Sequence, residues 1–194
     1  MFGIASLRDA TAWEFNLKIG LGGGLQLGVF GPGYLRTSAG AGVGDIGVSL
    51  KLSRGVSSRS TVALVPSVTF PTGDAARGLG AGRMLSSVVA VLSADLPARI
   101  HFDVNAGPVG VGAGTPQWFT SVGFSRAGTI GAATELFDFT PGASGPRQRG
   151  FLAAAVVRCA AWAVLDAGGA VGLSQETPNQ VFVGLTTNLG RIFK

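Results

Sequence analysis

The stretch 42–47, GVGDIG, has the glycine spacing G-x-G-x-x-G of a dinucleotide-binding loop. Such a loop needs a strand before it, a helix after it and an acidic residue about 20 positions further on. Here a segment rich in glycine and serine precedes the stretch, and a strand-like alternation of apolar and polar residues follows it. The context therefore argues against a nucleotide site, and the sequence predicts no cofactor.

Two other residues have side chains that could react. His101 is the one histidine and could act as a base near neutral pH, but no G-x-S-x-G nucleophile motif accompanies it. Cys159 is the one cysteine, so an intrachain disulfide is excluded. No His, Cys and Asp residues have the spacing of metal ligands. The sequence predicts neither an enzyme nor a metal site.

The composition is unusual for a water-soluble protein. The chain has 194 residues, 32 of them glycine, and only 13% are charged, against about 25% in average chains. Its mean hydropathy is nevertheless +0.42. No apolar run reaches the roughly 18 residues of a helical membrane span, and the net charge of +5 forms no basic cluster for nucleic acid. We expect a single domain over residues 1–194.

Apolar and polar residues alternate along nearly the whole chain. In WEFNLKIGL, Trp13, Phe15 and Leu17 alternate with Glu14 and Lys18. A period of two is typical of strands with different surroundings on their two faces. The polar positions of this alternation, which we call the polar phase, are mostly Gly, Ser and Asn. The apolar positions, or apolar phase, are too numerous to pack into the single core of a soluble protein of this length. We therefore predict an all-β fold, a transmembrane antiparallel up-and-down β-barrel, rather than a soluble β-sandwich.

A membrane barrel presents its apolar phase to lipid and its polar phase to the lumen. The residues predicted to face lipid are Trp13, Phe15, Leu17, Ile46, Val48, Leu50, Phe102, Val104, Leu185 and Phe193. The polar residues predicted to face the lumen are Glu14, Lys18, Asp45, Lys51, His101, Asp103, Asn105, Glu135, Arg158 and Asp166.

The predicted connections alternate between short and long, as in outer-membrane barrels. Short breaks fall near 22–24, 96–98, 127–128 and 162, and longer loops near 31–44, 71–83, 107–116, 140–150 and 175–180. The strand that begins near Thr11 then starts outside, so an outward strand must precede it, and 2–7 is the candidate. Outer-membrane barrels have an even number of strands. The sequence therefore predicts about twelve strands, with ten as the alternative.

The charges of the polar phase have two interpretations. Inside a narrow barrel they could pair into a network that holds and partly plugs the lumen, or form a ring that selects permeants. We expect the ion-pair network, because unpaired charges are costly inside a small barrel.

Several segments in order carry a resemblance to a known family. They are GVGDIGVSLKLS (42–53), PSVTFPTGD (66–74), GLGAGR (78–83), IHFDVNAG (100–107), ATELF (133–137) and VLDAGGAVGLSQETPNQVFVGLTTNLG (164–190). Together they resemble the outer-membrane family named for the MetA pathway of phenol degradation. That resemblance implies a transporter-like barrel, and the family name implies aromatic solutes.

The sequence thus predicts a barrel in the bacterial outer membrane, with membrane lipid as its main partner and no nucleic acid. The expected function is passive passage of small solutes, with aromatic or hydrophobic ones as candidates. The alternative is a closed structural barrel that anchors or scaffolds a larger envelope complex, with other envelope proteins or further copies of the chain as partners.

Overall fold

Antiparallel strands make up most of the computed structural model, which describes the backbone of residues 2–7 and all atoms of residues 10–188. No helix of the described residues is long and apolar enough to cross a membrane. Short 3₁₀ turns lie at Ala75–Arg77 and Pro97–Arg99. The strands are β1 Phe2–Leu7, β2 Ala10–Gly22, β3 Leu25–Thr37, β4 Gly40–Gly42, β5 Ile46–Gly55, β6 Ser60–Phe70, β7 Leu85–Leu96, β8 Ile100–Val109, β9 Gln117–Arg126, β10 Ile130–Phe139, β11 Gln148–Ala160, β12 Ala163–Gly172 and β13 Gln180–Thr187.

The strands form one up-and-down barrel with twelve strand positions. The short β4 and the longer β5 both pair with β3, so they occupy one position that is interrupted at 43–45. Strand β1 pairs with β2 on one side and with β13 on the other, and β2 pairs with β3. Each position therefore has a hydrogen-bonded neighbour on both sides. The prediction of twelve strands, including a strand at 2–7, is confirmed.

Connections at the two ends of the barrel differ in length, as predicted. One end carries the short turns 23–24, 56–59, 97–99, 127–129 and 161–162. The other end carries the longer connections 71–84, 110–116, 140–147 and 173–179, together with the segment 38–45, which includes the short β4. The turn between β2 and β3 requires glycine, because Gly22, Gly23 and Gly24 have φ values of 85°, 60° and 83°.

Several predicted boundaries are wrong. The loop predicted at 31–44 begins only after Thr37, because β3 continues through the Gly-Pro-Gly sequence at 31–33. A register shift between Trp13 and Glu14 on β2 accommodates this sequence opposite Pro32. Strand β8 likewise runs into the loop predicted at 107–116, and β11 into the one predicted at 140–150.

Burial is inverted relative to a soluble protein. Large apolar side chains are exposed on one face of the strands, with Trp13 at 50%, Val48 at 42% and Leu185 at 40% exposure. The buried apolar residues among those described are four alanines and Leu79. The opposite face carries small and polar residues that are half-buried or buried, such as Gly47 and Ser49. The described chain therefore has no apolar core of its own.

Candidate functional site: the barrel interior

The strand pairing places the predicted polar residues on one face. Residues directly opposite each other in an antiparallel ladder point to the same side of the sheet. Asn16 lies opposite Phe30, which in turn lies opposite Gly47. Likewise Asp166 lies opposite Gly184 on β13. We call the side of the sheet to which these residues point the polar face.

Three cavities lie on the polar face. Cavity A, of about 480 Å³, is bordered by Glu14, Asp45, Asp166, Phe30, Phe182 and Gln180, among others. Cavity B, of about 410 Å³, is bordered by Phe119, Glu135, Phe137, Phe139, Gln148, Thr177, Pro178 and Gln180. Cavity C, of about 330 Å³, is bordered by Asp103, Asn105, Glu135, Leu152 and neighbouring residues of β9 and β10.

The cavities adjoin one another inside the barrel. Gln180 borders both A and B, Glu135 borders both B and C, and Leu152 borders both A and C. Cavity B joins Phe119 of β9 with Gln180 of β13, which is possible only on the concave side of the barrel. Together the cavities reach from Pro178 in a long connection to Ser125, close to the short turn 127–129.

The lining of the three cavities is acidic. Five carboxylates border cavities A, B and C, and no lysine or arginine does. Lys18 and Lys51 occupy the polar face opposite Gly28 and Gln26, nearer the short-turn end. Arg158 is exposed near that same end, beside a register shift in β11.

The expected ion-pair network is largely wrong for the described residues. His101 contacts Asp95 through Nδ1, at 2.7 Å from Oδ1, and Asp103 through Nε2, at 3.3 Å from Oδ2. Ser93 also donates a hydrogen bond of 2.5 Å to Asp103. Within residues 10–188, no salt bridge involves Glu14, Lys18, Asp45, Lys51, Glu135, Arg158 or Asp166.

A further ion pair lies near the long connections. Asp138, at the end of β10, accepts hydrogen bonds from Arg147 Nε at 3.1 Å and from Arg147 Nη2 at 2.8 Å. Its carboxylate also lies 3.4 Å from Arg149 Nη2. This hydrogen bonding, with the charge of Asp138, raises the pKa of the Arg147 guanidinium in the connection 140–147.

Asp45 has a role that the sequence did not reveal. It precedes β5 rather than beginning it, and its carboxylate accepts backbone hydrogen bonds from Gly73 at 2.9 Å and Ala81 at 2.7 Å. Thr72 Oγ1 accepts from the Ile46 N–H and donates to the Gly44 carbonyl, each at 2.9 Å. Asp45 thereby ties the long connection 71–84 to the start of β5 while also bordering cavity A.

The residues predicted to face lipid differ in exposure. Trp13, Leu17, Val48 and Leu185 are exposed. Phe193 lies outside the described residues. Half-buried members of the set are Phe15, Ile46, Leu50, Phe102 and Val104. Of these, Phe15 also contributes to the edge of cavity A.

The described residues contain no group of three or more His, Cys, Asp and Glu side chains that could hold a metal ion. Reasoning from periodicity missed Phe137 and Phe139, because they are apolar residues at positions where the alternation predicts polar ones. Their spacing of two residues, in phase with Glu135, is the signal that could have identified them.

The fold is similar to that of solved porins. A structure described as the KdgM porin matches with a TM-score of 0.72 and 6% sequence identity, over 97% of this chain and 98% of that chain. A structure of the NanC porin in a rhombohedral crystal form matches with a TM-score of 0.72 and 11% identity, over the same shares. No protein-family model and no curated protein matches the sequence. The resemblance to the phenol-degradation family therefore stays a prediction, and the likeness to porins establishes the fold.

Proposed function

We propose that this chain is an outer-membrane channel of a Gram-negative bacterium that lets small solutes pass without an energy source. The observation that carries the proposal is the set of adjoining cavities A, B and C inside a barrel with an apolar exterior. An exposed apolar belt on a barrel requires lipid, and barrels of this kind belong to outer membranes. The two similar solved structures are both described as porins.

Charge selection follows from the lining of the cavities. Rings of carboxylates favour cations in a pore, because they replace part of the water shell of a positive ion and repel anions. Glu14, Asp45, Asp166, Glu135 and Asp103 border the space at successive places. We therefore infer that small cationic and neutral solutes pass more readily than anions.

An aromatic or hydrophobic solute is supported by the rings in the lining. Phe30 and Phe182 border cavity A, and three further phenylalanines border cavity B. An apolar surface inside a polar lumen lowers the free energy of a solute ring that slides along it. The proposed role is passage rather than catalysis.

Single-channel recording in a planar bilayer tests the proposal. Reproducible current steps that grow with salt concentration are the expected result, with a cation-selective reversal potential in a KCl gradient. A folded barrel that stays silent would contradict the channel and favour a closed structural barrel that anchors an envelope complex. The membrane assignment has its own test, since a chain that stays monodisperse in buffer without detergent would contradict it.

A further inference from the structure

Cavity B has an aromatic wall. The ring centroids of Phe119 and Phe139 lie 4.7 Å apart with an interplanar angle of 30°, and those of Phe137 and Phe139 lie 6.2 Å apart at 68°. All three rings are only half-buried, so part of each faces open space. Phe119, Phe137 and Phe139 thus form a cluster of three adjoining rings in the lining of cavity B.

Glycine gives one of these rings room to lie against the barrel wall. Phe137 is directly opposite Gly150 in the β10–β11 ladder. A Cβ atom at Gly150 would lie 2.5 Å from Cζ of Phe137, so only glycine permits the ring to cover this position. The Phe137 ring therefore lies over Gly150 at the edge of cavity B.

Polar groups lie at the edges of the same cavity. Gln148 and Gln180 supply amide groups, and Glu135 supplies a carboxylate that has no hydrogen-bond or ion-pair partner among residues 10–188. Thr177 and Pro178 form the side toward the long connections. Thr177 is buried, and its hydroxyl accepts a 2.8 Å hydrogen bond from the Arg149 N–H, so this side is well ordered.

We propose that cavity B binds a solute that carries both an aromatic ring and a positively charged amine. The ring would stack on Phe137 and Phe139, and the ammonium group would pair with Glu135. The volume of about 410 Å³ lies within the range of small-molecule pockets, roughly 300–1,000 Å³. This inference rests on the proposed channel, for which cavity B would be the binding step near the long connections.

Isothermal titration calorimetry on the full chain in lipid nanodiscs tests the site, with 2-phenylethylammonium as the probe. Two analogues separate the contributions of ring and charge. We expect 2-cyclohexylethylammonium, which keeps the charge without the aromatic face, to bind about fivefold more weakly. We expect 3-phenylpropionate, which keeps the ring and carries a negative charge, to show no heat of binding.

Variants locate the site. Phe137→Ala should weaken binding of 2-phenylethylammonium about fivefold, and Glu135→Gln about threefold. Phe137→Leu retains apolar volume and serves if the alanine variant folds poorly. Phe102→Ala is the matched control, because Phe102 belongs to the opposite face and borders none of the three cavities.

Two results would contradict the proposed binding site in cavity B. Equal binding of the ring and cyclohexyl probes, or equal effects of Phe102→Ala and Phe137→Ala, would overturn the site. Channel recording on the same preparation separates the two proposals. Conductance without binding of 2-phenylethylammonium leaves the channel and removes the site, whereas binding to a silent barrel supports the site and removes the channel.

Discussion

Gly47→Ala should narrow the lumen by displacing one ring. Phe30 lies directly opposite Gly47, and a Cβ at Gly47 would lie 2.4 Å from Cζ and 2.7 Å from Cε2 of Phe30. An ordinary contact needs at least 3.4 Å, so the ring must move by about 1 Å. The wall lies behind the ring, so the free direction is into cavity A, which Phe30 already borders.

The expected change in the free energy of unfolding of Gly47→Ala combines two opposing contributions. Overpacking of this kind costs about 1–3 kcal/mol, and alanine in place of a strand glycine recovers about 0.5–1 kcal/mol. The expected net loss is therefore roughly 0–2.5 kcal/mol, measured by urea unfolding in lipid vesicles, together with a lower single-channel conductance. Gly20→Ala is the control, because a Cβ at Gly20 on the same polar face meets nothing within 4 Å.

Phe30→Ala combined with Gly47→Ala should restore both the stability lost through the contact and the conductance, since the coupled partner is gone. The reasoning is refuted if Gly47→Ala behaves as Gly20→Ala does in both measurements, or if removing the Phe30 ring rescues neither quantity.

Three further substitutions test other parts of the structure. Asp45→Asn should weaken two hydrogen bonds and speed proteolysis in 71–84 at least threefold while the barrel stays folded; unchanged cleavage would contradict the anchoring role. Asp166→Asn should lower the cation-to-anion permeability ratio measured by reversal potential, and an unchanged ratio would exclude it from charge selection. Val48→Arg should destabilise the barrel by about 2–4 kcal/mol more than Ser49→Arg in vesicle unfolding; equal losses would reverse the assignment of the two faces.

Much of the fold could be predicted from the sequence because the period of two is a local property. Alternation between consecutive residues identified the strands. The alternation of short and long breaks between them indicated that the number of strands is even. That parity required the strand at 2–7, which the structure contains. The same reasoning failed at Gly31, Pro32 and Gly33. These residue types are typical of turns, yet backbone pairing with β2 keeps the segment in a strand.

The interior could be predicted less well, because contacts there depend on pairing between distant segments. Periodicity assigned Asp45 to a strand, whereas its hydrogen-bond donors come from 28 and 36 residues later in the chain. The register that sets Phe137 over Gly150 is likewise absent from any local pattern. The charges were expected to pair, but of the residues predicted to face the lumen only His101 and Asp103 form salt bridges within residues 10–188.

The inverted burial has a thermodynamic consequence. Leu79 and a few alanines are the apolar residues that the described part of the chain buries, so the solvent around the protein, rather than its own interior, must supply most of the apolar contact that opposes unfolding. Resistance to heat or urea then depends on the surroundings as much as on the sequence. Vesicles of shorter and longer acyl chains should give different unfolding midpoints for the same polypeptide, as the height of its apolar belt departs from the thickness of the hydrocarbon.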